Sequence, residues 1–374
     1  MKKNQINTIV ILIVVLIIDL IAAREFIKMR YPEALSPASG LTEVRPLSCY
    51  NPYLKGGHGD TDIYIFDSGK PGASVLLLGG THPNEPAGFL TAVLLVENVQ
   101  VSAGRLFIIP RACQSGFSCT DPFEAYPQFY HVETNSGERR FRFGSRVSNP
   151  LDQWPDPLVY CHHPSGQKLS GFETRNLNRS FPGRKNGSFT ERVAYGIVEL
   201  IRQEKITLAF DLHEAAPEIP IINAIVYHEK CEDLALMVVM NLEMKNLEYA
   251  PELSPKNFHG LSHREWGDYT NVQPFLMETS NPIQGRLRGK TNEALVRFGK
   301  SRRYQEAQES GALRIAYQAD TGESLERRIG RHLQGFKEIL AVYNETAAED
   351  TRFVFSGLPD YHELIQNTLT PYLK

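Results

Sequence analysis

Short apolar runs alternate along this chain with segments in which apolar residues recur every three or four positions, and this alternation constrains the fold most strongly. We interpret most of the runs as β-strands, at 62–66, 75–78, 106–109, 207–210, 221–227 and 275–277. We interpret the amphipathic segments as helices, at 87–97, 190–203, 234–245 and 325–343. Helices between buried strands are typical of parallel sheets, so the sequence predicts an α/β layer structure with a largely parallel, buried central sheet. Residues 120–168 show little periodicity and are predicted to form a long loop excursion.

The N-terminal segment differs in character from the rest of the chain. From Ile6 to Ala23 it is predominantly apolar and long enough to span a hydrocarbon core of about 30 Å as a helix. We predict a single-pass anchor over residues 1–23, followed by a linker over 24–50 and one folded domain over 51–374. A cleaved signal peptide and a soluble helix are alternatives, although Ile21 weakens a small-residue cleavage site. We expect the domain to be exported, either tethered to the membrane or secreted after signal cleavage.

Composition limits the kinds of molecule and metal site that this chain can be expected to have. The formal net charge is -3 with 22% charged residues, and no basic run occurs outside the N-terminus, which argues against a nucleic-acid partner. The 5 cysteines are too scattered for a disulfide framework or a cysteine metal knuckle. We interpret Cys113 and Cys119 as free thiols, with a pairing across one loop as the alternative.

Two candidate metal ligands follow the apolar run 75–78. They are His82 and Glu85, in the sequence Gly-Gly-Thr-His-Pro-Asn-Glu-Pro. In open α/β sheets, ligands bind at the carboxyl ends of the strands, which is where these side chains fall. A histidine and a glutamate at this spacing are a weak signal on their own.

A third candidate ligand ends another buried run. His213 follows the run 207–210, and two histidines with one glutamate match the ligand set of a catalytic zinc that keeps an open position for water. A hydrogen-bonded core histidine is the alternative for His213. Asp211 would orient a ligand or point into the sheet.

Two further segments carry charged side chains suited to a substrate. Arg175, Asn178 and Arg179 lie in Arg-Asn-Leu-Asn-Arg-Ser-Phe-Pro-Gly, where a guanidinium beside an amide can bind a carboxylate. A solvated arginine-rich loop is the alternative. Glu278 ends the apolar run 275–277, a position suited to a general base whose pKa is raised by an apolar site.

The order of these four motifs resembles the zinc carboxypeptidase superfamily, and most closely its succinylglutamate desuccinylase/aspartoacylase branch. The resemblance covers about residues 60–289 and implies a mixed, mainly parallel central sheet sandwiched by helices. It implies one zinc ion per chain on His82, Glu85 and His213, and a catalytic Glu278. It further implies that Asn178 and Arg179 bind a substrate carboxylate.

Three departures from the family pattern concern the substrate more than the metal. Asn176 stands where aspartate is usual, and Pro83 stands where glycine is common. The arginine that polarises the scissile carbonyl has no unambiguous counterpart: Arg175 is our first choice, and its rivals from the long loop are Arg140, Arg142 and Arg146.

The resemblance implies a zinc-dependent hydrolase that cleaves the amide bond of an N-acyl amino acid or a similar small carboxylate substrate. The alternatives are a metallocarboxypeptidase that acts on peptides and a catalytically inactive, membrane-anchored binding protein. The sequence leaves the acyl group, the amino-acid partner, the side of the membrane and the oligomeric state open.

Overall fold

The computed structural model describes residues 3–119 and 126–374. In chain order, the strands in these ranges are β1 Glu43–Pro46, β2 Asp62–Asp67, β3 Ser74–Leu78, β4 Gln100–Ala103, β5 Arg105–Ile109, β6 Phe129–Thr134, β7 Gly137–Arg142, β8 Val159–Cys161, β9 Lys168–Ser170, β10 Leu208–Ala215, β11 Ala224–Tyr227, β12 Ala250–Leu253, β13 Gln273–Ser280 and β14 Val354–Ser356. The α-helices are α1 Lys3–Lys28, α2 Pro86–Asn98, α3 Gln114–Phe117, α4 Phe189–Gln203, α5 Glu232–Met244, α6 Ser262–Tyr269, α7 Glu293–Phe298, α8 Arg302–Glu309, α9 Leu325–Thr346 and α10 Tyr361–Asn367.

A central sheet organises the domain. Among the described residues it has 8 strands in the order β1-β2-β5-β3-β10-β13-β11-β12. The middle of the sheet, β5-β3-β10-β13, is parallel, whereas β1 and β2 at one edge and β11 against β13 are antiparallel. The predicted mixed, mainly parallel sheet is therefore confirmed. Parallel strands need long crossovers, and helices supply them here.

Helices cover both faces of the sheet. On one face, α2, α5 and α9 pack against the sheet in one core, which includes Leu77 of β3, Phe210 of β10 and Phe336 of α9. On the other face, α4 packs in a second core with Leu76, Leu78 and Trp266 of α6. All five residues of β3 are buried because both faces of this strand are covered. Alternate side chains of the central strands thus serve two different cores.

The helix α1 stands apart from these cores. It has 26 residues, a mean hydropathy of 2.9 over its most apolar window, and no buried residue. By length and composition it can cross a membrane, and a signal sequence passes the same test. The first two residues of the predicted segment 1–23 lie outside the described residues.

The segment predicted to be a linker, 24–50, departs from that prediction from Glu33 onwards. The side chain of Glu33 pairs with Arg111 at 2.6 Å, β1 joins the edge of the central sheet, and Leu47 is fully buried. A proline-containing stretch suits an edge strand as well as a free linker, because its missing N–H groups need no partner on the open side. The folded domain therefore begins well before residue 51.

The predicted loop excursion, 120–168, contains regular structure as well. The strands β6 and β7 form an antiparallel hairpin, and β8 pairs with β9. Tyr130 and Val132 alternate with more exposed neighbours on β6, a short period-2 pattern that the many charged residues of β7 obscure. Residues 120–125 of this region lie outside the described residues.

Candidate metal centre

A glycine turn brings the first two candidate ligands to the carboxyl edge of the sheet. Gly80 follows β3 with φ at +63°, and a Cβ atom there would lie 2.8 Å from the carbonyl oxygen of Pro110. Only glycine adopts this conformation in this space without strain. The chain then runs through His82 to Glu85, which is the residue before the first turn of α2. Both side chains therefore lie beside the end of β3.

Three ligand-type side chains converge within this edge. The distances are 2.9 Å from His82 Nδ1 to Glu85 Oε1, 3.0 Å from His213 Nδ1 to Glu85 Oε2, and 3.1 Å between the two Nδ1 atoms. In tetrahedral zinc sites, metal–ligand distances of about 2.0–2.2 Å separate neighbouring ligand atoms by about 3.3–3.6 Å. All three residues are buried, and they form a cluster that can hold a metal ion. A small ligand movement would accommodate zinc.

An oxygen atom lies close to the far nitrogen of each imidazole, as a hydrogen-bond partner of His82 and as an ion-pair contact of His213. His213 Nε2 lies 2.9 Å from Asp211 Oδ2, and His82 Nε2 lies 2.9 Å from Asn176 Oδ1. Such contacts set the ring orientation and leave Nδ1 free for the metal. An amide oxygen accepts this bond as a carboxylate does, so Asn176, where the family usually has aspartate, is compatible with a histidine ligand.

The charges at the cluster suit a cation. Burial lowers the pKa of His82 to about 4, so that ring is neutral. Burial alone would lower the pKa of His213 too, but Asp211 and Glu85 raise it above its usual value. Burial opposes ionisation of Glu85, yet the two imidazoles lower its pKa well below the usual range. Two carboxylates close to the rings therefore offer the negative charge that a divalent metal requires.

Glu278 lies next to this cluster because of strand register. The strands β10 and β13 run parallel, with His213 paired to Glu278 and Asp211 paired to Leu276. Paired residues point to the same face of a sheet. Burial raises the pKa of Glu278 to about 8, and its Oε2 atom has no hydrogen-bond partner among the described residues. The carboxyl group can therefore accept or hold a proton at neutral pH.

A cavity of 260 Å³ joins the cluster to the predicted substrate residues. Its described polar lining comprises His82, Glu85, Arg146, Asn178, Arg179, His213, Glu214, His263, Glu278 and Gln284. Its apolar lining comprises Ala215, Ile219, Ile221, Val226, Pro255, Phe258, Leu261 and Leu276. The structure thus brings together six of the seven predicted site residues, and Arg175 is the exception.

The guanidinium of Arg175 is engaged elsewhere. It is buried and bonds both oxygens of Asp156, at 2.7 and 2.9 Å, and the carbonyl oxygen of Ser148 at 2.8 Å. Arg146, one of its rivals, lines the cavity with Nη1 at 3.0 Å from Glu85 Oε1. Of these two arginines, Arg146 is therefore the one that lines the cavity.

The other two rivals also point away from the cavity. The guanidinium of Arg140 lies 4.3 Å from the centre of the Phe129 ring. Arg142 donates to the carbonyl oxygen of Phe117 at 2.8 Å. Both residues belong to β7, and these contacts lie within the region 120–168 or next to it. Neither is among the described residues that line the cavity.

Asn178 and Arg179 present their side chains to the cavity from a short 3₁₀ turn. Asn178 Oδ1 accepts a hydrogen bond from the Ser262 backbone at 2.8 Å, which leaves the amide nitrogen for a ligand. Arg179 Nη1 donates to the Asn178 carbonyl at 2.6 Å, and its guanidinium lies 4.8 Å from the ring centre of Phe258. Stacking on an aromatic ring holds the planar fork in place for a carboxylate.

Sequence reasoning missed a buried ion pair behind the cluster. Glu214 accepts from the backbone of Ala87 at 2.8 Å and from Arg328 of α9 at 2.7 Å. The carboxylate therefore satisfies an orphan N–H in the first turn of α2. Arg328 is 114 positions away from Glu214, and nothing near either residue in the sequence indicates the pairing.

A second acidic and histidine cluster, His228, Glu229 and Asp268, lies outside the cavity. The guanidinium of Arg264 already neutralises it, with Nη1 at 2.8 Å from Glu229 and Nη2 at 2.7 Å from Asp268. A fixed cation in that position competes with a metal ion, so we interpret this cluster as structural.

Comparison with known proteins gives structural similarities only. No protein-family model and no curated protein matches the chain. Solved hydrolase structures are similar to it. A succinylglutamate desuccinylase from a Silicibacter species is 17% identical, with a TM-score of 0.41 over 75% of this chain and 60% of that one.

Two further similar structures are a tripeptide-bound cell shape determinant protein from Helicobacter pylori and a metallo-carboxypeptidase from Burkholderia cenocepacia. The first is 12% identical with a TM-score of 0.47, over 82% of this chain and 60% of that one. The second is 11% identical with a TM-score of 0.46, over 83% of this chain and 66% of that one. The chain spans less than two thirds of each, and at such low identities the argument for an activity depends on this chain's own residues.

Proposed function

We propose that this protein is a zinc-dependent amide hydrolase that acts on a small substrate with a free carboxylate, such as an N-acyl amino acid. One observation carries the proposal: three buried ligand atoms about 3 Å apart share one cavity with a carboxyl oxygen of Glu278 that has no hydrogen-bond partner in the described part of the chain. A purely structural metal site would have a fourth protein ligand instead of an adjoining cavity.

Seven of the ten described polar lining residues have a role in this proposal. When bound to His82, Glu85 and His213, zinc supplies Lewis acidity and makes water nucleophilic near neutral pH. Arg179 and Asn178 bind the substrate carboxylate and hold the amide carbonyl in place. Glu278 takes the proton of the attacking water and returns it to the leaving amine nitrogen.

The oxyanion needs a positive group that faces the developing charge. Arg146 is the second cation of the cavity lining, and it is only partly buried, so its side chain can turn from Glu85 towards a substrate carbonyl. A donor used in this way stabilises the transition state more than the ground state. We therefore assign the carbonyl-polarising role to Arg146 instead of Arg175.

The same site would serve a carboxypeptidase, because the terminal carboxylate of a peptide is the same chemical group that Arg179 would bind. An inactive binding protein is the less favoured alternative, since a buried carboxyl oxygen such as Glu278 Oε2, with no partner among the described residues, is costly to retain without a chemical role. For the location, we propose that α1 anchors the protein in a membrane and that the domain from β1 onwards carries the hydrolase activity.

The decisive experiment uses the full-length protein in detergent micelles. Metal analysis after purification in zinc-containing buffer should find one zinc ion per chain. A panel of N-acetyl and N-succinyl amino acids beside short peptides should then show hydrolysis that a chelator abolishes and zinc restores. Stoichiometric zinc without hydrolysis of any panel member would favour the binding protein, and cleavage of peptides alone would favour the carboxypeptidase.

A further inference from the structure

Three polar side chains of the described lining have no role in the proposed reaction, those of Glu214, Gln284 and His263. Glu214 bonds Arg328 and Gln284 bonds Glu85, which leaves His263. His263, the second residue of α6, is 3% exposed and lines the cavity. Neither of its ring nitrogens has a hydrogen-bond partner among the described residues. Burial lowers its pKa to about 3, so the ring is neutral and offers one donor and one acceptor.

Another buried histidine of this protein shows what a purely structural imidazole does. His162 has a partner at each nitrogen, with Nδ1 at 2.8 Å from Ser165 Oγ and Nε2 at 2.6 Å from the carbonyl oxygen of Phe181. Buried polar groups in native proteins are nearly always paired in this way. The ring of His263 differs because the space beside it is the cavity, so its partner must come from a ligand or from water held there.

The surroundings of His263 decide what kind of ligand group suits it. The described apolar lining of the same cavity includes Val226, Leu261 and Leu276, which are buried, and Phe258. The cations among the described lining residues are Arg146 and Arg179, and the proposed function commits both to the reacting carbonyl and the substrate carboxylate. A second carboxylate on the substrate would therefore meet apolar walls and a neutral ring, which disfavours it.

We propose that His263 is a specificity-determining residue that hydrogen-bonds an uncharged polar group on the substrate side chain. The favoured substrate then has a neutral, largely apolar side chain that ends in a hydroxyl or an amide, not an acidic one. This inference rests on the proposed function, which places the substrate carboxylate at Arg179. It concerns only the part of the substrate that contacts His263 and the apolar lining residues.

The test measures binding of product amino acids to the zinc-loaded, full-length protein by titration calorimetry, which needs no turnover. The probes are the matched pairs L-tyrosine and L-phenylalanine, L-threonine and L-valine, and L-glutamine and L-methionine, with L-aspartate as the acidic probe. In the wild-type protein, the polar member of at least one pair should bind about tenfold more tightly, as expected for one hydrogen bond of about 1.4 kcal/mol. L-Aspartate should bind more weakly than that member.

Variants separate the role of His263 from general packing. His263→Leu should abolish the polar preference, whereas His263→Gln should keep part of it, because an amide also donates and accepts. Arg179→Ala should weaken both members of the pair and leave their ratio unchanged. An unchanged ratio in His263→Leu, tighter binding of L-aspartate, or no binding of any probe would overturn the inference.

A parallel turnover assay with the N-acetyl derivatives distinguishes this inference from the proposed function. If the derivatives are hydrolysed and the ratio does not depend on His263, the inference fails alone. If the zinc-loaded protein hydrolyses none of the derivatives while the His263-dependent preference is present, the proposed hydrolase activity fails and the binding role of His263 stands.

Discussion

His213 Nδ1 lies 3.0 Å from Glu85 Oε2, although the two residues are 128 positions apart in the chain. His213 lies near the carboxyl end of β10, and Glu85 precedes the helix that follows β3. These two strands are parallel neighbours. The carboxyl ends of adjacent parallel strands lie at one edge of the sheet, so the sheet itself assembles the metal cluster.

The first prediction concerns metal binding. His213→Ala should reduce zinc from one ion per chain to a small fraction of that, because only two of the three ligands remain. Asp211→Asn should keep the ligand and lower zinc affinity by about 10- to 100-fold, because the contact that orients the His213 ring is weakened. Metal analysis and competition with a chelator measure both effects. Full zinc occupancy in His213→Ala would contradict the ligand assignment.

The second prediction separates the general base from the metal ligands. Glu278→Gln should bind zinc as the wild-type protein does and lose about 10²–10⁴-fold in kcat, because the amide cannot accept the proton of water. Metal content and steady-state kinetics on one protein preparation measure the two effects together. Near-normal turnover in this variant would remove Glu278 from the mechanism.

The third prediction compares two arginines. Arg146→Ala should lower kcat by about 10²-fold or more with a smaller change in KM, as expected for an oxyanion donor. Arg175→Ala should instead lower the melting temperature, because it leaves Asp156 without its bidentate partner in a largely buried position. The reverse pattern, with kcat lost in a normally stable Arg175→Ala protein, would restore Arg175 to the site.

The fourth prediction concerns Glu204, whose hydrogen bonds connect the segment around β1 to the rest of the domain. It accepts hydrogen bonds from Arg45 and Tyr50, both at 2.7 Å, and from Arg105 at 2.9 Å. Partial burial raises the pKa of Glu204, but these partners lower it by more, so the net pKa lies below its usual value. The folded state therefore favours the ionised form. Stability from this group is therefore present above the unfolded pKa of about 4.3 and is lost as pH falls through the lower folded value.

On this basis, Glu204→Gln should destabilise the full-length protein in micelles by about 1–3 kcal/mol at neutral pH. The difference from the wild-type protein should shrink in acid, because the wild-type carboxyl becomes neutral there too. Denaturant unfolding between neutral pH and pH about 3 measures this trend. A difference that stays constant across this range would show that the charge of Glu204 does not stabilise the fold.

Local patterns were enough to predict the secondary structure around the metal cluster. Period and composition placed the central strands and the helices α2, α4, α5 and α9, because burial on one or both faces leaves a regular apolar pattern. They also placed His82, Glu85, His213 and Glu278 at strand ends, where parallel strands in one sheet bring side chains together.

Other features depend on contacts between distant segments, which no local pattern records. The choice between Arg175 and Arg146 follows from Asp156, which engages Arg175 and leaves Arg146 to line the cavity. The sequence likewise could not show that His263 lines the cavity and has no hydrogen-bond partner within 3–119 and 126–374. The segment around β1 has the composition of a linker, yet β1 joins the sheet and the following residues Leu47 and Tyr50 are buried in the core. Sequence periodicity thus determined where the central strands lie, although β10 and β13 extend beyond the predicted runs. Tertiary packing decided which charged side chains have partners and which remain available for a substrate.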